Sequence, residues 1–307
     1  MQTRNLLLAA SNLALGLAAP ASPPVPLPAY NLLSSRETHF NASLPNITIF
    51  ATGGTIAGSA ASNAQTTGYQ AGALGVDILI DAVPELRNVS NVSGVQVANV
   101  DSGSITPDIL LNLTRLVQEA LDDPYCQGAV VTHGTDTLEE SAFYTSKTHS
   151  NSLDTFRAVE QGYLGFFLDI KPVFYYPPVL PLGHAYFNVS AATELPQVDI
   201  LFGHQALNPA IAKAAVESGA KGLVLAGMGA GGWTTPGREA LKTLAQENNT
   251  HIVVSSRTMG GFVEDSDAPN TYGGWNLNPQ KARIMLQLAL YSGYVSEQLE
   301  TLFKYAP

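Results

Sequence analysis

Two short runs of apolar and β-branched residues each lead directly into a loop of glycine and threonine. The run at residues 47–51 is followed by TGGT at 52–55, and the run at residues 128–132 is followed by HGTD at 133–136. Apolar runs of this length that end at glycines are typical of buried strands. Because ligands of open α/β sheets bind at the carboxyl ends of the strands, the pattern predicts one site that receives hydroxyls, backbone amides and a carboxylate from both loops.

The rest of the chain alternates between strand-like and helix-like segments in two blocks. In the first block, a strand at residues 95–100 precedes a helix that begins at Pro107, with Thr106 as its N-cap. In the second block, the periodicity predicts strands at 198–202, 222–226 and 251–255, and helices at 210–218, 237–246, 279–291 and 296–305. We therefore predict an α/β protein with two domains and a boundary between residues 187 and 195.

The composition excludes several classes of partner. The 307 residues include 25 acidic and 15 basic side chains, so the chain lacks the basic surface that nucleic acids require. Beyond the N-terminal run, no apolar stretch is long enough to span a membrane. The histidines do not show the spacing of metal ligands, and the single cysteine, Cys126, excludes an intrachain disulfide. We predict neither a metal nor a cofactor.

Residues 1–21 predict a secretory signal peptide, because a positively charged start precedes a run of leucine and alanine and a small-x-small cleavage pattern. Residues 22–45 are rich in proline and serine and predict a mobile leader. Together with seven Asn-x-Ser/Thr sequences, these features predict a glycoprotein of the eukaryotic secretory pathway, secreted or placed in a periplasmic or cell-wall space. The seven sequences begin at Asn41, Asn46, Asn88, Asn91, Asn112, Asn188 and Asn248.

The two loops resemble the signatures of a known enzyme family. ATGGTIAG at 51–58 and THGTDTLEE at 132–140 are similar to the signatures of the bacterial-type L-asparaginases and glutaminase-asparaginases, closest to the secreted type II enzymes. The resemblance extends from residue 46 to the C-terminus. It implies a two-domain asparaginase-like α/β fold, with a larger N-terminal doubly wound sheet at residues 46–190, internally shortened here, and a smaller C-terminal α/β domain at residues 191–307.

The resemblance also implies roles for individual residues. Thr55 matches the threonine that attacks the side-chain amide of asparagine and forms an acyl-enzyme, which water hydrolyses to aspartate. Thr135 matches a second catalytic threonine, and Asp136 matches the carboxylate that holds the α-amino group of the substrate. Ser102 matches the serine that binds the α-carboxylate, and Tyr69 matches a tyrosine on a mobile loop that helps to activate the nucleophile.

Three further residues complete the predicted site. Asp101 and Gly54 are predicted to contact the substrate, and the amides or hydroxyls of Gly54 and Thr135 are the candidate donors to the oxyanion. Lys147 matches the catalytic lysine of the family. The implied substrate is L-asparagine, with L-glutamine as the alternative, and the implied assembly is a homo-oligomer, a tetramer in the family, whose active sites lie between subunits.

Three positions depart from the family pattern at the ligand. Family members commonly carry glutamine after the binding serine, where this chain has Gly103. The asparagine that a neighbouring subunit contributes falls on Ala230, and its glutamate partner falls near Glu264. The preference between asparagine and glutamine therefore stays open.

The largest departure is a segment missing after Tyr144. In the family, a strand, a helix and another strand separate the second signature from the lysine loop, whereas here Tyr144 leads almost directly into TSKTHSN at 145–151. A helix over residues 137–144 would carry the chain about 12 Å away from the carboxyl end of the strand. Because Lys147 then starts on the wrong side of the sheet, we expect little or no asparaginase activity from this chain as it stands.

Two alternatives from other classes compete with this interpretation. GMGAGG at 227–232 follows a strand and formally matches the GxGxxG pattern of dinucleotide-binding proteins, although TTP at 234–236 delays the next helix. The second alternative is a non-catalytic relative that binds an amino acid through Ser102 and Asp136 but performs no chemistry.

Overall fold

The computed structural model describes residues 40–58, 72–138, 144–152, 154–169, 171–177 and 185–304. The predicted signal peptide, most of the predicted leader and Tyr69 lie outside the described residues. The chain divides into two compact units. The first contains Met1–Leu138 and Asn188–Thr193, and the second contains Glu139–Phe187 and Glu194–Pro307.

The first unit is built around a parallel sheet. Its elements are β1 (Asn46–Gly53), α1 (Val76–Asp81), β2 (Asn91–Val100), α2 (Pro107–Asp122) and β3 (Gly128–Thr132). Both pairs of strands are parallel, and the order across the described sheet is β2-β1-β3. The carboxyl ends of the three strands therefore lie along the same edge of the sheet.

Strand β1 carries apolar side chains on both of its faces. Ile49 and Ala51 pack with Val76 of α1, whereas Phe50 packs with Val117 of α2. Since successive side chains of a strand point to opposite faces, the two helices cover the two sides of the sheet. This arrangement is the doubly wound one that the sequence predicts.

The two helices of the first unit are capped in different ways. Thr106 accepts a hydrogen bond from the amide of Ile109 at 3.4 Å, as its position before a proline predicts. Helix α1 has no side-chain cap from the residue that precedes it. Instead, the amide of Val76 donates to Oε1 of Gln96 on β2 at 2.8 Å, so a distant strand satisfies the start of this helix.

The second unit contains two short antiparallel hairpins and a second parallel sheet. The hairpins are formed by β4 (Ser146–Lys147) with β5 (Phe156–Arg157), and by β6 (Gly165–Leu168) with β7 (Lys171–Phe174). The parallel sheet has the order β11-β10-β9-β8. The remaining elements are β8 (Val198–Phe202), α3 (Ala210–Glu217), β9 (Gly222–Gly227), α4 (Thr235–Glu247), β10 (His251–Ser256), β11 (Thr271–Gly273), α5 (Pro279–Tyr291) and α6 (Ser296–Phe303).

The core of the second unit lies around its central strands. All six residues of β9 are buried, and Leu223 and Ile252 of neighbouring strands have 0% and 1% of their surface exposed. Asn278 caps the start of helix α5, because its Oδ1 accepts from the amide of Lys281 at 3.0 Å. The fully buried run of β9 is typical of a parallel strand that is covered on both faces.

The segment between the two sheets groups with the second unit. Glu139–Phe187 belongs to the same unit as the C-terminal sheet, whereas the sequence places it in a domain that ends at residue 190. One contact that explains the grouping joins Lys281 of α5 to the start of β4, where its Nζ donates to the carbonyl of Thr145 at 2.7 Å. The predicted domain boundaries stay a prediction.

No helix in the described ranges combines the length and the apolar character that a membrane span requires.

A buried histidine makes the stability of the second unit sensitive to pH. His251 has 7% of its surface exposed, and its Nδ1 lies 3.0 Å from the hydroxyl of Tyr272. Burial lowers the pKa of His251 below its usual 6.5. The unfolded chain therefore binds a proton before the folded chain does as the pH falls through 6.5.

We expect the free energy of unfolding of the second unit to decrease as the pH falls below 6.5, down to the lowered pKa of His251. Urea denaturation at several pH values between about 7.5 and 5 measures this decrease. The substitution His251→Gln should make this decrease in the free energy of unfolding smaller. His204→Gln is the matched control, because His204 is exposed. Equal pH dependence in the wild type and His251→Gln would contradict the assignment.

Candidate active site

The two glycine–threonine loops begin at neighbouring positions of the first sheet. Ala51 of β1 pairs with Thr132 of β3 in the parallel register. The next residue, Thr52, is almost completely buried, and its hydroxyl donates to the carbonyl of Thr132 at 3.1 Å. This hydrogen bond joins the carboxyl ends of β1 and β3. Both loops therefore leave the sheet from neighbouring positions.

The loops then approach each other at two glycines. A Cβ on Gly54 would lie 2.3 Å from the Cα of Gly134, and the φ angle of Gly54 is +79°. Both the contact and the backbone conformation therefore require glycine at position 54. The amide of Gly54 donates to the carbonyl of Val100 at 2.7 Å. This hydrogen bond ties the first loop to the end of β2, and the role of the Gly54 amide as an oxyanion donor stays a prediction.

Ser102 links the end of β2 to the second loop. Its hydroxyl accepts from the amide of Asp136 at 3.2 Å, and its carbonyl accepts from the hydroxyl of Thr137 at 3.0 Å. Only 2% of Ser102 is exposed. A Cβ on Gly134 would lie 2.6 Å from the Cβ of Ser102, so the absence of a side chain at 134 allows this close packing.

The predicted site residues of the first unit that the structure describes lie at this edge of the sheet. Thr55 directly follows Gly54 and begins a short 3₁₀ helix, Thr55–Ala57. Thr135 is half-buried and Asp136 is exposed, and both lie in the turn that the Ser102 contacts hold. Asp101 is exposed beside Ser102. Asp101, Ser102, Thr135 and Asp136 therefore lie in one region. The chain segment that carries Thr55 approaches this region at Gly54.

The other two predicted catalytic residues are Tyr69 and Lys147. Tyr69 falls outside the described ranges. Lys147 lies on β4 in the second unit, where it pairs with Phe156 of β5 and is half-buried. The catalytic roles of both residues stay predictions.

Several residues that shape the site carry no clear signal in the sequence. Gln96 donates from Nε2 to the carbonyl of Ala51 at 3.2 Å and so ties β2 to the end of β1. His133 is buried, and its Nδ1 lies 2.8 Å from the carbonyl of Gly134. For Gly134, the loop composition is the only available signal, because the chain segment it must approach is distant in sequence.

The described residues offer no cluster for a metal and no open dinucleotide loop. Across those residues, no three histidine, cysteine or carboxylate side chains lie close enough to hold a metal ion. In the GxGxxG segment, the amide of Met228 donates to the carbonyl of Gly232 at 2.8 Å, and the amide of Gly232 donates back at 2.6 Å. These two amides are used within the loop, so they are not directed at a phosphate.

Comparison with known proteins assigns the chain to a family. Residues 197–303 match the family model described as the glutaminase/asparaginase C-terminal domain. Residues 46–146, a range that contains both loops and Ser102, match the model described as asparaginase, N-terminal. The chain belongs to the asparaginase family. The asparaginase-like two-domain α/β fold implied by the two signatures is thereby confirmed.

Named relatives cover most of this asparaginase. It is 43% identical over 325 residues to "Probable L-asparaginase 1" of Schizosaccharomyces pombe, covering 86% of this chain and 90% of that protein. It is 41% identical to "L-asparaginase 2-1" of Saccharomyces cerevisiae, covering 89% of this chain and 93% of that protein. A crystal structure of a probable cytoplasmic L-asparaginase from Campylobacter jejuni matches with a TM-score of 0.79 at 32% identity, covering 84% of this chain and 99% of that one.

The length of the first alignment shows that this asparaginase is shorter than its relative. The alignment spans 325 positions, whereas 86% of the chain's 307 residues is about 264. About 60 aligned positions of the Schizosaccharomyces protein therefore have no counterpart here. This shortfall supports a missing segment, and its placement after Tyr144 stays a prediction.

The comparison also corrects the predicted location. The similar solved structure is described as a probable cytoplasmic L-asparaginase. The prediction of a secreted or periplasmic protein is therefore wrong. It depended on the N-terminal run at residues 1–21, which lies outside the described residues.

Proposed function

We propose that this asparaginase hydrolyses L-asparagine to L-aspartate and ammonia, with slow turnover. The observation that carries the proposal is the contact of Ser102 with Asp136 and Thr137 at the point where Gly54 meets Gly134. The contact gathers groups suited to an amino-acid substrate around the start of the Thr55 helix. Membership of the asparaginase family supports the same reaction.

In the proposed mechanism, the first loop attacks and the second loop binds. The Asp136 carboxylate accepts from the α-ammonium of the substrate, and the Ser102 hydroxyl donates its proton to the α-carboxylate. The Thr55 hydroxyl attacks the side-chain amide carbon, forming an ester and expelling the nitrogen as ammonia. Water then cleaves the ester, which releases L-aspartate and restores the Thr55 hydroxyl.

Other parts of the chain have proposed supporting roles. We assign the Thr135 amide or hydroxyl, together with Gly54, to the developing oxyanion. Tyr69 and Lys147 serve as the groups that move the proton of the nucleophile. We also propose a homo-oligomer in which Ala230 and Glu264 lie near a subunit boundary. L-Glutamine is the alternative substrate.

We expect slow turnover because of the missing segment. About 60 positions of the Schizosaccharomyces relative have no counterpart, and the prediction places their absence between the second loop and Lys147. A misplaced general base or acid lowers a rate by roughly 10²- to 10⁴-fold. We therefore expect the turnover number of this chain to be lower than that of the relative by a factor in this range. Both are measured side by side as ammonia release from L-asparagine. Equal turnover numbers would contradict the effect of the missing segment.

A non-catalytic amino-acid-binding protein is the second candidate. The same shortfall in length favours it, because loss of the catalytic lysine leaves the contacts of Ser102 and Asp136 intact. Calorimetric titration with L-aspartate, run beside the ammonia assay, separates the two functions. The proposed enzyme binds L-aspartate and also releases ammonia from L-asparagine. Binding of L-aspartate without any release of ammonia from L-asparagine would establish the second candidate.

A further inference from the structure

The turn that contains Asp136 is held from both sides by a single residue. On one side of its side chain, the Asp136 amide donates to the Ser102 hydroxyl at 3.2 Å. On the other side, the hydroxyl of the next residue, Thr137, donates to the Ser102 carbonyl at 3.0 Å. Because Asp136 itself is exposed, these contacts of its backbone and its neighbour restrict where its carboxylate can lie.

The residue that receives both hydrogen bonds is fixed in place. Ser102 is 2% exposed, and its carbonyl also accepts from the amide of Ile105 at 3.2 Å, within the turn before α2. Gly134 packs directly against its side chain. The hydroxyl of Thr137 therefore connects the second loop to a rigid part of the first unit.

We propose that Thr137 is a positioning residue that sets the preference of the site for a ligand with an α-ammonium group. This inference rests on the proposed function, in which Asp136 binds that ammonium. The Thr137 hydroxyl acts on the ligand only through the position of Asp136. Its loss should therefore weaken the ammonium contact and spare the contacts made by the ligand's carboxylates.

Thr137→Val is a suitable variant because the acceptor of the hydroxyl it removes has a second donor. The Ser102 carbonyl keeps the Ile105 amide as its donor, so no buried acceptor is left without a partner. Thr137→Ser retains the hydroxyl and serves as the conservative variant. Thr114→Val is the matched control, since the Thr114 hydroxyl also donates to a main-chain carbonyl, that of Leu110, at 2.8 Å on α2.

The experiment compares two ligands by calorimetry with the full chain. L-Aspartate and succinate both carry two carboxylates, but succinate lacks the α-ammonium. We expect Thr137→Val to reduce the preference for L-aspartate over succinate by at least about 10-fold, mainly through weaker binding of L-aspartate. Thr137→Ser and Thr114→Val should keep the wild-type preference within about twofold.

Each contrary outcome has a distinct meaning. An unchanged preference in Thr137→Val, or an equal loss of affinity for both ligands, overturns the positioning role while the proposed function stands. A further loss of preference when Thr137→Val is added to Asp136→Asn also overturns it, because the two residues would then act separately. If the wild-type chain binds neither ligand, the proposed function fails and the inference fails with it.

Discussion

Replacing Thr55 by alanine is expected to lower the rate of ammonia release from L-asparagine by at least about 10³-fold, because the proposed mechanism assigns the attacking oxygen to the Thr55 hydroxyl. The residue lies at the start of the Thr55–Ala57 helix, two positions after Gly53, the last residue of β1. It belongs to the attacking loop and not to the Ser102–Asp136 contact that we assign to binding. The dissociation constant of L-aspartate should therefore change by no more than about threefold.

The control for this variant is a threonine on β1, the strand that precedes Thr55. Thr48→Ala removes a hydroxyl near the opposite end of β1, where Thr48 lies 3.1 Å from the Ser93 hydroxyl. We expect Thr48→Ala to keep the wild-type rate within about twofold. Ammonia release that persists in Thr55→Ala would exclude this threonine as the nucleophile. A loss of L-aspartate binding as well would indicate that Thr55 contributes to binding.

Replacing Gly54 by alanine is expected to decrease the free energy of unfolding of the first unit by about 3 kcal/mol or more and to abolish ammonia release. Two costs add at this position. The left-handed φ of +79° is unfavourable for a residue with a side chain, and the new Cβ would lie 2.3 Å from the Cα of Gly134. Because both overlapping groups are attached directly to the backbone, relief requires the loops to move apart. Chemical denaturation and the ammonia assay measure the two effects.

Gly162→Ala separates the two costs. Gly162 has a similar φ of +76°, but a Cβ there would meet no atom within 4 Å. We expect this variant to lose only about 1–2 kcal/mol, the cost of the left-handed conformation, and to keep its turnover. Equal losses of stability in the two variants would show that the contact between Gly54 and Gly134 contributes nothing.

The local signals in the sequence predict a large part of the fold. The strand at residues 198–202 is confirmed with the same bounds, and so is the one at residues 128–132. The helices that begin after Thr106 and Asn278 are also confirmed. They were predictable because each has a side-chain cap followed by proline. In each case, the residues that determine the element lie within or beside it.

Elements that depend on distant contacts could not be predicted in this way. Helix α1 follows Gly75, which offers no side-chain cap, and its first amide is satisfied by Gln96, 20 residues later. Strand β11 has only three residues and is defined by its pairing with β10. Neither the strand nor the helix carries enough local pattern to distinguish it from a loop.

The candidate site shows the same division. The two loops and their chemical groups were predictable from composition and from their positions after apolar runs. The contact of Ser102 with Asp136 joins residues 34 positions apart, and the use of the Gly54 amide by Val100 depends on strand register. These pairings arise only when the sheet forms. The sequence therefore predicts the participants in the site better than their hydrogen bonds.

The covalent intermediate tests the central claim most directly. The full chain is mixed with L-asparagine, quenched rapidly in acid and digested, and the peptide that contains Thr55 is weighed by mass spectrometry. We predict one added aspartyl group on Thr55 in the wild type and none in Thr55→Ala, since the amide nitrogen leaves before water attacks the ester. Ammonia release without any aspartyl group on Thr55 would contradict the account.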